Sequence, residues 1–163
     1  MRPEQEQEFC WLFRRSFASV ARTVELIVYD HGRAEEITQD AFSRLWKDWD
    51  VVGGYERPDA WVRRVAIRMA VRTARRERVR PLLERRARAP VEPVLPDPDL
   101  AAAVRELAPM QRAAVVLHYL EDRPVAEIAD VLRVSESTVK QHLLRARHRL
   151  AARLHEEVTE DVR

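Results

Sequence analysis

The chain has 163 residues, 46% apolar and 34% charged, against ~25% charged in an average globular protein. That is room for one ordinary domain or two small ones, not for a large enzyme. Its net charge of +2 conceals an alternation in which residues 1–56 are acidic, 57–88 strongly basic, 89–134 acidic, 135–153 basic and the tail acidic. Two basic blocks between acidic ones suit two contacts with a polyanion, although a solvated helix face explains any single block equally well.

Only three glycines are present. Sandwiches, barrels and glycine-rich nucleotide folds need turns at positive φ, so the expected fold class is all-α. The longest uncharged apolar run, Ala113–Leu117, falls far short of the ~18 residues of a membrane span. The opening residues are too acidic for a secretory signal, and the single Cys10 allows no internal disulfide. A cytoplasmic protein without membrane insertion is expected. The five histidines lack metal-ligand spacing, and no nucleophile–base set, paired-acid cleft or phosphate-binding glycine loop occurs. Neither catalysis nor a cofactor is expected.

In chain order, Phe9, Phe13, Phe17, Val20, Val24 and Ile27 recur at steps of three and four, which predicts a first helix with one apolar face. After a break at Asp30-His31-Gly32, a second helix turns Ile37, Ala41, Leu45 and Trp49 inward. Gly53-Gly54 opens a loop that runs to Pro58. A third helix from about Asp59 is expected to bury Trp61, Val65, Met69 and Thr73, with Arg64, Arg68, Arg72, Arg75 and Arg76 on its other side. A basic groove beside aromatic platforms such as Tyr55 is what single-stranded DNA binding requires, since stacking supplies ~1–3 kcal/mol per base. Trp49 and Trp61, on apolar faces, are read as core.

Five of the nine prolines lie between Pro81 and Pro98. Proline cannot continue a helix and pushes its predecessor out of the α region. Residues 81–97 are therefore read as an extended linker between a first domain, 5–80, and a second, 98–155, with an acidic tail at 156–163. Asp97-Pro98 marks a helix start, and a further helix spans Pro109–Tyr119. A short helix with Ile128, Ala129 and Leu132 follows Pro124. After a tight turn at Arg133-Val134, Ser135 caps a last helix that buries Val139, Leu143, Ala146 and Leu150. This is the helix-turn-helix pattern. It leaves Gln141, Leu144, Arg145 and His148 facing outward to read a major groove, and Ser135, Thr138 and Lys140 near the helix start to hold phosphate.

At these residues a family resemblance emerges. Ile128–Arg147 resembles region 4 of bacterial RNA polymerase sigma factors of the sigma-70 family. Ala34–Trp46 resembles region 2.2, and Ala60–Ala70 resembles regions 2.3 to 2.4. Carrying only these two sigma domains is the layout of the extracytoplasmic-function group. The resemblance implies a transcription initiation factor that binds core polymerase and directs it to promoter DNA. Glu36, Gln39 and Asp40 match positions that bind the clamp helices of the largest subunit, and the second domain would meet the flap. The loop Asp50–Pro58, with Tyr55, matches one that captures a flipped base. Arg64, Arg68, Arg72, Arg75 and Arg76 lie on the helix matching the one that recognises the -10 element, while Gln141, Leu144 and Arg145 match positions contacting the -35 element. Many relatives are held inactive by an anti-sigma factor.

The chain departs from the family pattern at three places. Arg68 and Arg72 replace small polar residues, Arg133 stands at a turn position where glycine is common, and Glu121-Asp-Arg lacks another frequent glycine. Either a strained turn or an altered geometry is expected at Arg133. The rival readings are a stand-alone helix-turn-helix regulator and a membrane-surface module built on the basic third helix.

Overall fold

The computed structural model describes residues 2–79 and 95–160, with side chains through residue 155. Among these, eight helices and one π-helical turn form two compact units, Met1–Arg76 and Glu77–Arg163. The expected linker lies outside the described residues from 81 to 94, as do 161–163 of the acidic tail. Leu95, at the linker's expected end, is buried, so it belongs to packed structure rather than to a solvated spacer.

In the first unit, α1 (Pro3–Val28) packs along α2 (His31–Lys47). Val20, Val24 and Ile27 are buried as expected, each worth ~1.5–3 kcal/mol of transfer free energy. The N-terminal half of α1 is covered less completely. Phe9 and Phe17 are half-buried and Phe13 is exposed. They form an aromatic ladder against α2, with Phe13 and Phe17 at 5.1 and 5.7 Å from Phe42 and Phe9 at 4.8 Å from Trp46.

The break between α1 and α2 falls earlier than Asp30-His31-Gly32. Tyr29 closes α1 at φ 54 with its N–H bonded to the Glu25 carbonyl at 2.7 Å, an αL cap. Asp30 then caps α2, accepting from the Arg33 N–H at 2.8 Å. Helix α2 stops at Asp48, so Trp49 is buried as expected but opens a separate turn, α3 (Trp49–Val52). The loop opens at Gly53 as expected and runs through residue 57, α4 starting at Pro58. Gly53 is required there: a Cβ on it would come within 2.7 Å of the Trp49 carbonyl oxygen and 2.9 Å of its ring.

Helix α4 (Pro58–Val79) differs from expectation in which face is inward. The buried positions are Val62, Ala66, Ile67, Ala70, Val71 and Ala74, while Trp61, Val65, Met69 and Thr73 are only half-buried. Three alanines one turn apart, Ala66, Ala70 and Ala74, run along this buried seam, and the larger side chains of Trp61, Val65 and Met69 flank it. Arg63 crosses it, donating to Thr23 Oγ1 at 3.0 Å and Ser19 Oγ at 2.6 Å and tying α4 to α1.

The second unit begins at α5 (Pro98–Glu106), capped by Asp97, whose carboxylate accepts from the Asp99 and Leu100 N–H groups. Helix α6 (Pro109–Val115) runs into the π turn Val116–Leu120, and α7 (Val125–Leu132) and α8 (Glu136–Glu160) follow. Ile128, Ala129, Leu132, Val139, Leu143 and Ala146 form the shared core, whereas Val134 and Leu150 are half-buried. The backbone of α8 continues past the expected domain end at 155, so residues 156–160 of the tail are helical.

Candidate nucleic-acid interface

The buried stripe of α2, Ala34, Ile37, Thr38, Ala41, Phe42 and Leu45, leaves Glu36, Gln39 and Asp40 exposed on the opposite face. Arg33 donates to Glu36 Oε2 at 3.1 Å, but both side chains are open to water, and such pairs contribute ~0–1 kcal/mol. Glu36 is thus available to another partner at little cost.

Tyr55 sits 49% exposed in the loop after α3, its N–H bonded to the Val52 carbonyl. The loop's far end is closed by Arg57, which donates to both oxygens of Asp59 at 3.0 and 2.9 Å. That bidentate contact is the main reason the Asp59 carboxyl is held below its usual range. The five arginines of α4 are not equivalent. Arg72, Arg75 and Arg76 are exposed, whereas Arg64 and Arg68 are half-buried. At 100° per residue Trp61 falls between Arg68 and Arg72, so the half-buried indole borders the basic face rather than filling the core.

In the second unit the α7–α8 turn carries the strain anticipated for a missing glycine. Arg133 lies at φ 56, ψ 48, and Val134 N–H reaches back to the Ala129 carbonyl at 3.1 Å, a Schellman cap made without glycine. Asp122, in the other segment lacking a glycine, is likewise left-handed at φ 52. Ser135 caps α8 as expected, its Oγ accepting the Thr138 N–H at 3.1 Å. Burial of Val139, Leu143 and Ala146 turns Gln141, Leu144, Arg145 and His148 outward as one exposed row. Lys140 is exposed on its flank and Thr138 is half-buried. Both basic faces thus lie opposite a packed core, the arrangement a DNA-contacting helix needs.

The sequence matches the family models for sigma-70 region 2 over residues 12–80 and sigma-70 region 4 over residues 99–150. It is 31% identical over 156 residues to an RNA polymerase sigma-E factor of Streptomyces antibioticus, covering 93% of this chain and 84% of that protein. The chain belongs to the sigma-70 family of RNA polymerase sigma factors. It is 31% identical over 157 residues to the extracytoplasmic-function sigma factor SigM of Mycobacterium tuberculosis, covering 88% of this chain and 75% of that one, which places it in that group. The structure of the sigma factor RpoE of Bartonella quintana, solved with the anti-sigma factor NepR, shares the fold with a TM-score of 0.68 at 20% identity, covering 91% of this chain and 98% of that one.

As a sigma factor, the chain is a promoter-directing initiation factor of RNA polymerase in a non-catalytic family, and neither the stand-alone regulator nor the membrane-surface module is needed to explain it. No helix among the described residues is long and apolar enough to cross a membrane. Two contacts at these surfaces have no signal in the sequence, because they join residues far apart in the chain. They are Arg63 to Thr23 and Ser19, and Arg147 of α8 to the Tyr119 hydroxyl at the end of the π turn.

Proposed function

We propose that the two units of this sigma factor divide promoter recognition between them. The first binds the clamp helices of core polymerase through Glu36, Gln39 and Asp40. It takes up the melted -10 element with Tyr55 and the basic face of α4, where Arg72, Arg75 and Arg76 carry most of the exposed charge. The second reads the -35 duplex with Gln141, Leu144, Arg145 and His148, positioned by phosphate contacts from Ser135, Thr138 and Lys140. The factor performs no reaction itself. It acts in the cytoplasm and takes an anti-sigma factor as a further partner, the class of protein bound to the Bartonella quintana neighbour.

The observation that supports this reading best is the outward row Gln141, Leu144, Arg145 and His148 above a core of Val139, Leu143 and Ala146. A helix with Glu36, Gln39 and Asp40 exposed on one face accompanies it in the same chain. Reconstitution with core polymerase, followed by selection from a random promoter library, tests the proposal. Holoenzyme should select paired -35 and -10 sequences, and the free factor should bind neither tightly. Tight sequence-specific duplex binding by the free chain, with no association with core polymerase, would overturn it.

A further inference from the structure

The π turn Val116–Leu120 interrupts the regular continuation of α6. The Glu121 N–H bonds to the Val116 carbonyl at 3.2 Å and the Arg123 N–H to the Leu117 carbonyl at 2.9 Å. Widened turns of this kind re-aim the side chains they carry. Here the turn leaves Tyr119 47% exposed, its ring edge against His118, with its hydroxyl accepting a 3.0 Å hydrogen bond from Arg147 Nη1. Arg147 is exposed, 28 residues on, and on α8. It does not belong to the outward row. Two helical turns separate it from Lys140 on the same flank of α8, where a helix lying in a major groove meets the sugar-phosphate wall rather than base edges.

An exposed arginine ordinarily pays a large rotamer entropy to be fixed, and a single bond to a neutral hydroxyl in water returns little stability. As a stabilising device the contact is poor. As a way of presenting a cation it is effective. One guanidinium N–H is used to fix the group and four others stay available, while the tyrosine hydroxyl, already accepting, keeps its own proton to donate. Both groups can therefore address one phosphate oxygen together.

We propose that Tyr119 and Arg147 form a preassembled clasp for a DNA phosphate on the flank of the recognition helix, with Tyr119 as the residue that positions Arg147. The inference rests on the -35 reading of α8 and adds a contact that the helix-turn-helix itself does not contain.

The test is a double-mutant cycle on the full chain in holoenzyme, bound to a promoter fragment selected by the unmodified holoenzyme, across several salt concentrations. Arg147→Ala is expected to lower the salt slope by about one phosphate contact. Tyr119→Phe, which keeps the ring and removes only the hydroxyl, should weaken binding roughly two- to tenfold, the cost of immobilising one long side chain. In the Arg147→Ala background Tyr119→Phe should have a clearly smaller effect, since only the hydroxyl's own bond to the phosphate is left to lose. Equal weakening by Tyr119→Phe in both backgrounds would show a packing role and overturn the proposal, as would an unchanged salt slope in Arg147→Ala. Gln141→Ala and Arg145→Ala separate the two claims: if they too leave -35 preference untouched, it is the placement of the recognition face that fails.

Discussion

Arg112 looks in the sequence like one more surface cation, yet it is only 9% exposed. Its Nη2 donates to the carbonyls of Arg105 at 2.8 Å and Leu107 at 3.0 Å. These carbonyls lie at the C-terminal end of α5 and at its cap, where a helix leaves acceptors with no internal partner. Arg112→Met keeps most of the apolar stem and removes both bonds. A hydrogen bond to a charged group is worth ~1.5–3 kcal/mol, and each carbonyl left dry costs ~1–3 kcal/mol. Relief from burying a charge, several kcal/mol per ion, offsets part of this. The expected net loss is roughly 2–4 kcal/mol from the second unit, or on the order of a 30- to 1,000-fold larger open population at ~1.4 kcal/mol per decade. Native-state hydrogen exchange on α5 and α6 measures it directly in the full chain. Arg112→Lys should fall between the two, since its ammonium keeps a charged donor but ends one atom short of the Nη2 position. Protection of α5 within about threefold of the unmodified chain in Arg112→Met would refute the argument, and the guanidinium would then be a bystander.

Glu36→Lys with Asp40→Lys should abolish pull-down of core polymerase while the far-UV circular dichroism of the helical fold stays unchanged; full association would remove α2 from the interface. Tyr55→Ala should slow open-complex formation, read by permanganate reactivity, and spare polymerase recruitment. Lys140→Ala should weaken holoenzyme binding to all sequences alike and lower the salt slope by about one contact, whereas Arg145→Ala should flatten the -35 preference by ~1–3 kcal/mol in a promoter selection. The Asp59 carboxyl, held below its ordinary 3.8 chiefly by its hydrogen bond from Arg57, contributes stability above that value and loses it as pH falls through the folded-state value. The acid limb of the first unit's stability should therefore be shallower in Asp59→Asn, and an unchanged limb would show the clip to be inert. Arg133→Gly relieves ~1–2 kcal/mol of left-handed strain and returns ~0.4–1 kcal/mol to the unfolded chain, so the second unit's melting temperature should rise by a few degrees.

Much of the second unit was legible because its signals are local. Ser135, Val139, Leu143 and Ala146 sit at fixed offsets along one helix, and the cap and buried stripe follow from spacing alone. The glycine-poor turn was legible too, since Arg133 had to adopt φ 56 where the chain reverses. Helix α4 was misread for a physical reason. Periodicity weighs large apolar side chains, and Trp61, Val65 and Met69 form a convincing row, but close packing is set by what fits. Ala66, Ala70 and Ala74 share the buried side with Val62, Ile67 and Val71, and the bulkier row stands half-buried at its edge. Contacts such as Arg63 to Thr23, 40 residues apart, carry no local mark at all.

The arginines show how charge along the chain differs from charge presented to DNA. Residues 57–88 form the most basic block, yet Arg63 is spent on Thr23 and Ser19 and Arg57 on Asp59. Arg64 and Arg68 are half-buried, so the outward charge of α4 concentrates toward its C-terminal end, in Arg72, Arg75, Arg76 and Arg78. The second unit follows the same division, with Arg112 turned inward and Lys140, Arg145 and Arg147 outward. On the proposed reading each of these helix faces offers DNA only a few phosphate contacts. A few contacts give an affinity that salt readily removes, because each is worth only about one released counterion. Two such surfaces on one chain bind together far more tightly than either alone, but only when both can engage at once. Weak separate surfaces are what the proposed division requires: neither half would hold DNA well by itself, and tight promoter binding would await the polymerase that brings both to bear.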